Sequence, residues 1–225
     1  MKLISIILAT FAFGGYSEGD IISLEHQGQV NNVCAGGVIN GQGESISSLS
    51  LSEYSGKIIW INFAAGWWAP CISHVQDVDD IYEYYIDDDE VKIITVFYDS
   101  APYFCDGWNN WLGSQGGPPI ILDSEEFSTP SGYNDDPGLI YNWFDCNICA
   151  LPMSVYVDHD MRVYEISENT SDTKELIIST IDEMKSLIPP ACTDIDEDNI
   201  CDDIDDCVGE MDECGICNGS GFPDG

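Results

Sequence analysis

Residues 57–71 read KIIWINFAAGWWAPC, and this stretch decides the fold. Lys57 to Phe63 is a short, nearly continuous apolar run bounded by breakers, the pattern of a strand buried on both faces. Gly66, Trp67, Trp68, Ala69 and Pro70 then form a loop. Pro70 suits the first turn of a helix, where its missing N–H leaves no bond unmade. Behind it Cys71, Val75, Val78, Ile81, Tyr82 and Tyr85 recur at three- and four-residue spacing, which predicts an amphipathic helix.

Working outward, Val91 to Tyr98 (VKIITVFY) reads as a second strand. Strand, helix and strand in this order make a βαβ unit with a parallel pair. Further on, Phe104 to Leu112 is expected as a helix, Ile120 to Leu122 as a short strand and Gly138 to Phe144 as a short helix. Met153 to Val157 and Arg162 to Ile166 flank the turn Asp158-His159-Asp160-Met161 and predict a hairpin. Thr173 to Ile188 predicts a closing helix with Leu176, Ile177, Ile181, Met184 and Leu187 on its core face, capped by Ser171 or Asp172. Upstream, Ile21 to Ser55 is polar and Gly-rich with weak strand signals.

The stretches INFAAGWWAPC, VKIITVFYD, PPIILDSE and ALPMSVYVDHDMRVYEI, in this order, resemble the exported thioredoxin-like proteins of the TlpA/ResA and redoxin group. The resemblance runs from about Gly56 to Leu187. It implies a thioredoxin-like α/β fold, with a mixed central sheet flanked by helices. It also implies extracytoplasmic thiol–disulfide oxidoreduction, with protein thiols or disulfides as partners. In that family the loop reads Trp-Cys-x-Pro-Cys. The first cysteine attacks, its pKa lowered at a helix N-terminus, and the second resolves the mixed disulfide. Here Trp67, Pro70 and Cys71 match, but Trp68 stands where the attacking sulfur belongs. Pro152 matches the family's cis-proline, which packs beside the loop and shapes the substrate groove together with Trp67, Trp68 and Pro70.

Three readings of Cys71 stay open. It is a lone reactive thiol at a helix N-terminus, or half of a redox centre relocated to Cys146 or Cys149, or an inert buried residue or half of a structural bridge. The pair Cys146-Asn147-Ile148-Cys149 lies just before Pro152, so the family layout brings it toward the loop. A zinc site there is disfavoured by the lack of a second ligand pair. A peroxidase would want a threonine at position 68 and an arginine; Trp68 occupies the first, and Arg162 is the one arginine in the chain. Cys105 reads equally as a structural bridge partner of Cys146 or Cys149 or as a redox cysteine, and Cys34 takes no assignment. His74, one turn into the helix, is placed to tune Cys71 or simply to be solvated; His26 and His159 read as loop residues. No catalytic Ser-His-Asp set and no phosphate-binding glycine loop is visible, so no organic cofactor is expected. The alternative function is a catalytically inactive binding or surface protein that keeps the groove for an extracytoplasmic protein partner.

Charge sets further bounds. Forty-one acids face six basic residues, for a formal net charge of −35. Such a chain repels nucleic acid and anionic membranes and suits a salty medium that screens self-repulsion. Lys2, the apolar run Leu3 to Phe13 and the small residues Gly14, Gly15 and Ser17 read as an export signal over residues 1–17. The run is too short to span a bilayer, which takes roughly 20 residues. The expected location is therefore periplasmic, cell-surface or secreted, and no integral membrane span is predicted. Ten cysteines in an oxidising compartment should mostly form disulfides.

The thioredoxin-like domain is expected over residues 18–190, ending at Pro189-Pro190. Residues 191–225 have too few large apolar side chains for a core and must be held by metal, disulfides or both. Asp194, Asp196, Asp198, Asp202 and Asp205 take positions 1, 3, 5, 9 and 12 of a calcium loop. Ile200 supplies a carbonyl at position 7, and Asn199 stands at the turn. This run is similar to thrombospondin type 3 and related Asp-rich calcium repeats of secreted proteins, and the following CVGEMDECGICNG resembles a cysteine-rich module found after them.

Overall fold

The structure is a computed structural model and describes residues 15–39, 44–99, 117–123, 140–145, 150–168, 172–189, 207, 209, 217 and 218. In chain order the elements are α1 (Leu24–Gln27), β1 (Asn31–Ala35), β2 (Val38–Ile39), β3 (Glu44–Ser45) and β4 (Ser48–Leu49), followed by a 3₁₀ turn at Leu51–Tyr54. Then come β5 (Ile58–Ala65), α2 (Ala69–Tyr85), β6 (Val91–Asp99) and β7 (Ile120–Leu122). A 3₁₀ turn at Ile140–Trp143, β8 (Met153–Val157), β9 (Val163–Ser167) and α3 (Lys174–Ser186) complete the list. The chain divides into two compact units, Met1–Lys185 and Ser186–Gly225.

The strands of the first unit form a seven-stranded sheet in the order β4-β1-β7-β6-β5-β8-β9. β5 and β6 run parallel, as the βαβ reading requires, and β8 lies antiparallel on the other side of β5. This is the mixed sheet of a thioredoxin-like fold. β5 is central and buried along its whole length. Its odd-numbered residues Ile59, Ile61 and Phe63 join Ile94, Val96, Met153 and Val155 in the larger core cluster. Its even-numbered residues face α2, where Ala64 meets Cys71, Val75 and Phe97. Alternation on a strand is strict, so a run apolar at both parities has to be covered on both faces.

The hairpin of β8 and β9 and the short β7 form where expected. Within the short helix expected at Gly138 to Phe144, the described residues form a 3₁₀ turn at Ile140–Trp143. Three other expectations need correction. α3 buries Ile177, Ile181 and Met184, whereas Leu176 and Leu187 are 53% and 57% exposed. The helix buries an i, i+4, i+7 line, which is narrower than the stripe the pattern suggests. Its cap is Thr173, whose hydroxyl accepts from the Leu176 N–H at 3.3 Å, and not Ser171 or Asp172. His26 belongs to α1 and stacks on Trp143 with ring centroids 4.2 Å apart, so it is no loop residue. The expected helix at Phe104 to Leu112 and the N-terminal segment to Gly14 lie outside the described residues. In the second unit Cys207 and Cys217 form a disulfide.

Four of the cations are spent on protein oxygens. Lys57 donates to the Asp89 carbonyl at 2.6 Å and Arg162 to the Gly19 carbonyl at 2.5 Å. Lys174 pairs with Asp80 at 2.8 Å and Lys185 with Asp88, and these two pairs tie α3 to α2 and the turn after it. The remaining carboxylates repel one another. Raising sodium chloride from about 0.01 to about 1 M shortens the screening length from roughly 30 to 3 Å. The melting temperature should therefore rise steadily across that range in a thermal denaturation series; a flat or falling series would refute this.

Candidate functional site

β5 delivers the chain to Ala65, and the Trp68 N–H closes the loop by donating to the Ala65 carbonyl at 3.2 Å. Trp68 is the N-cap of α2 and Pro70 sits in the first turn, as expected. The Trp68 carbonyl accepts the first helical bond, from the Ile72 N–H at 3.1 Å. Its side chain makes no capping bond. Instead the indole Nε1–H reaches across the groove and donates to the Leu151 carbonyl at 2.8 Å. The Leu151–Pro152 bond is cis, as expected from the family match. Trp67 and Trp68 stand edge to face with centroids 5.8 Å apart and are 49% and 41% exposed. Trp67, Trp68 and Pro70, the residues expected at the groove, thus stand together at the loop and first turn of α2, and Trp68 links them to the turn holding Pro152.

Cys71 lies beneath. It is 2% exposed, and among the described residues it is the free cysteine. Its Sγ accepts a weak bond from the Ala65 N–H at 3.5 Å. Burial pushes the thiol up to about 11, against the smaller opposing effect of the Ala65 and Cys71 N–H groups. A thiol in this state is protonated at neutral pH and is no nucleophile. His74 does not correct this. Burial holds its imidazole below the ordinary range despite the pull of Asp77, 3.5 Å away, and of Asp172. It is half-buried, and a neutral imidazole offers Cys71 no charge.

Because the buried thiol gains a proton relative to the unfolded chain, its stabilising effect is complete below the unfolded value of 9.0 and is lost as pH rises toward about 11. At pH 8 the Cys71 peptide should be alkylated by iodoacetamide about a hundredfold more slowly in the native protein than in urea, read by peptide mass mapping. Equal rates would show that the sulfur is accessible.

The same cavity is lined by Asn62, Thr95 and Asp79 as well as Cys71, His74 and Pro152. The strand register sets Asn62 beside Thr95 on β6 and Ser154 on β8. All three are buried, and the Asn62 Oδ1 finds no hydrogen-bond partner among the described residues. The polar break at Asn62 in an otherwise apolar run is the one sequence signal that marks this layer.

Cys34, unassigned from sequence, is disulfide-bonded to a sulfur outside the described residues. It sits at the register shift between Val33 and Ala35 and packs against the apolar cluster that contains Cys71. Nothing in the local sequence signals this. Cys105, Cys146 and Cys149 lie outside the described residues, as do the calcium-register residues Asp194, Asp196, Asp198, Ile200, Asp202 and Asp205. Among the described residues no group of three His, Cys, Asp or Glu side chains could hold a metal ion, and no helix is long and apolar enough to cross a membrane.

No protein-family model and no curated protein sequence matches the chain. Solved structures do. A secreted thiol-disulfide isomerase from Corynebacterium glutamicum is 13% identical, with a TM-score of 0.50 over 70% of this chain and 83% of that one. The exposed lipoprotein thioredoxin of Streptococcus pneumoniae is 18% identical, with a TM-score of 0.44 over 61% and 92%. A DsbF homologue from Corynebacterium diphtheriae is 17% identical, with a TM-score of 0.46 over 74% and 93%. At such identities the likeness is one of fold.

Proposed function

We propose that this chain is an exported, atypical protein of the thioredoxin-like thiol–disulfide oxidoreductase type, whose loop holds extended polypeptide and does not turn over disulfides through Cys71. The observation that carries the reading is the place of Trp68. It is the N-cap of α2 where an attacking sulfur would stand, bonds the Leu151 carbonyl, and precedes by three residues a buried, protonated thiol. What remains at the surface is a pair of aromatic faces beside Pro152, chemistry suited to apolar and aromatic side chains of a partner. Export is supported by the N-terminal apolar run and by the cysteine content.

The test has two arms. In an insulin-reduction assay wild type and Cys71→Ser should both match the protein-free blank. In a fluorescence titration with a reduced, carboxymethylated polypeptide, wild type should bind, and the double variant Trp67→Ala/Trp68→Ala should bind at least about tenfold more weakly. Turnover by wild type that vanishes in Cys71→Ser would overturn the reading.

A second reading keeps turnover by pairing Cys71 with a displaced sulfur, Cys146 or Cys149 in the family layout. One observation favours it: the bonded Cys34 packs on the same cluster as Cys71. A disulfide map across a glutathione redox titration decides it, because a mixed species containing Cys71 appears only if that exchange runs. For the tail, the spacing of Asp194 to Asp205 supports calcium as the ligand. Calorimetric titration of the full chain, with Asp196→Ala and Asp202→Ala, tests that register.

A further inference from the structure

Between β5, β6 and α2 lies a cavity with about 30 Å³ of free space, lined by three oxygen-bearing side chains, Asn62, Thr95 and Asp79. We propose that this cavity binds a small monovalent cation, sodium, held by the Asn62 Oδ1, the Thr95 hydroxyl and the Asp79 carboxylate.

The fold aims all three at one layer. Asn62 and Thr95 are Cα partners across the parallel pair, so their side chains project to the same face of the sheet. Ala64 and Phe97, two residues further on in each strand, pack against Cys71 and Val75 of α2. Strand alternation therefore turns Asn62 and Thr95 toward α2 as well. On the helix, Asp79 stands one turn beyond Val75, which lines the same cavity. All three polar side chains are buried.

The chemistry of the lining asks for positive charge. Asn62 is 4% exposed, and its Oδ1 is an acceptor with no hydrogen-bond partner among the described residues. A buried acceptor in that state marks a place that a water or an ion fills. Asp79 adds a carboxylate, and a carboxylate in a buried layer draws a cation. No lysine or arginine is among the lining residues. His74 is among them, but burial holds its imidazole below the ordinary range, so it supplies no charge at neutral pH.

Size and charge select the ion. A water needs about 10–15 Å³ of such space, so the cavity admits one small ion with one water and no organic cation. Hard cations take oxygen ligands, and calcium wants about six to eight of them. One carboxylate with two neutral oxygens balances a single charge. This donor set differs from the groups of three His, Cys, Asp or Glu side chains that the described residues lack. A chain of net charge −35 also concentrates cations around itself.

Thermal melts of the full chain test the assignment, with sodium chloride replacing tetramethylammonium chloride stepwise at constant ionic strength. Screening is then fixed, and tetramethylammonium is too large to enter. The melting temperature should rise and saturate, by roughly 2–4 °C once sodium exceeds its dissociation constant about fivefold. Asn62→Leu and Asp79→Asn should each abolish that increment, whatever they do to the starting melting temperature. Ser154→Ala should keep it, because Ser154 is buried beside Asn62 on β8 but does not line the cavity. Should Asn62→Leu or Asp79→Asn fail to fold, Thr95→Val, which keeps the shape and removes the hydroxyl, takes its place with the same expectation. No sodium-dependent rise in wild type would mean that the cavity holds water only and would overturn the assignment. An increment that persists in the folded variants would do the same. The readout is stability, so it stands apart from whether Cys71 exchanges disulfides.

Discussion

Trp68→Cys should give the protein thiol–disulfide exchange, with insulin reduction about a hundredfold or more above wild type. The position is the N-cap of a 17-residue helix. A sulfur there meets the positive end of the helix dipole and first-turn N–H groups, which favour the thiolate. Pro70 withholds one N–H, but Ala69 and Cys71 still carry theirs. The two sulfur-bearing residues would stand three apart at a helix start, roughly 5–6 Å between Cα atoms, within the span a disulfide requires. The substitution also removes the indole from the Leu151 carbonyl and exposes that acceptor to a substrate backbone. Buried Cys71, protonated at rest, then has the ordinary task of a resolving thiol. Two controls isolate the sulfur. Trp68→Ser opens the groove without supplying a nucleophile and should stay at the blank. Trp68→Cys/Cys71→Ser should accumulate a mixed disulfide and not turn over. If Trp68→Cys does no better than Trp68→Ser, the substitution at this position is not what silences the loop.

Phe63→Ala should cost about 4 kcal/mol of stability, the largest effect we expect from one side chain. Phe63 is fully buried at the centre of β5, inside the larger core cluster. Its ring lies edge to face on Tyr141 and on Phe144, with centroids 5.8 Å away in both cases. Removing it forfeits the transfer free energy of the ring, leaves a cavity that the flanking strands cannot close, and breaks two aromatic pairs. The pairs matter for layout too. They hold the segment Ile140–Phe144 against the sheet, and Asp123 secures its start by accepting from the Ile140 and Tyr141 N–H groups at 2.9 and 2.8 Å. Urea unfolding followed by circular dichroism should show a midpoint shift at unchanged slope. A loss below about 1.5 kcal/mol would mean that the core relaxes around the gap.

The sheet's centre was legible because its signals are local. KIIWINF is apolar at both parities, VKIITVFY follows after one amphipathic helix, and the turn at Asp158 to Met161 separates two short strands. Pro152 was legible through the family pattern. α3 is legible as a helix, yet its buried face is narrower than its periodicity implies. Periodicity marks which residues could face inward but not how far the neighbouring surface extends, so Leu176 and Leu187 stayed in solvent. His26 found a stacking partner more than a hundred residues away in Trp143, and no pattern around it points there.

At the site the division has the same cause. The linear chain determined that the attacking sulfur is missing and that a tryptophan stands in its place at the start of a helix. It could not determine whether Cys71 was reactive, because a thiol's pKa depends on desolvation by strands and helices brought together from distant segments. Tertiary structure alone decided that Cys71 is sealed and that Trp68 spends its N–H on a carbonyl 83 residues downstream. Local residue order governs which elements form and which atoms they carry. Packing between elements governs burial, and burial sets which of those atoms carry charge or donate a proton.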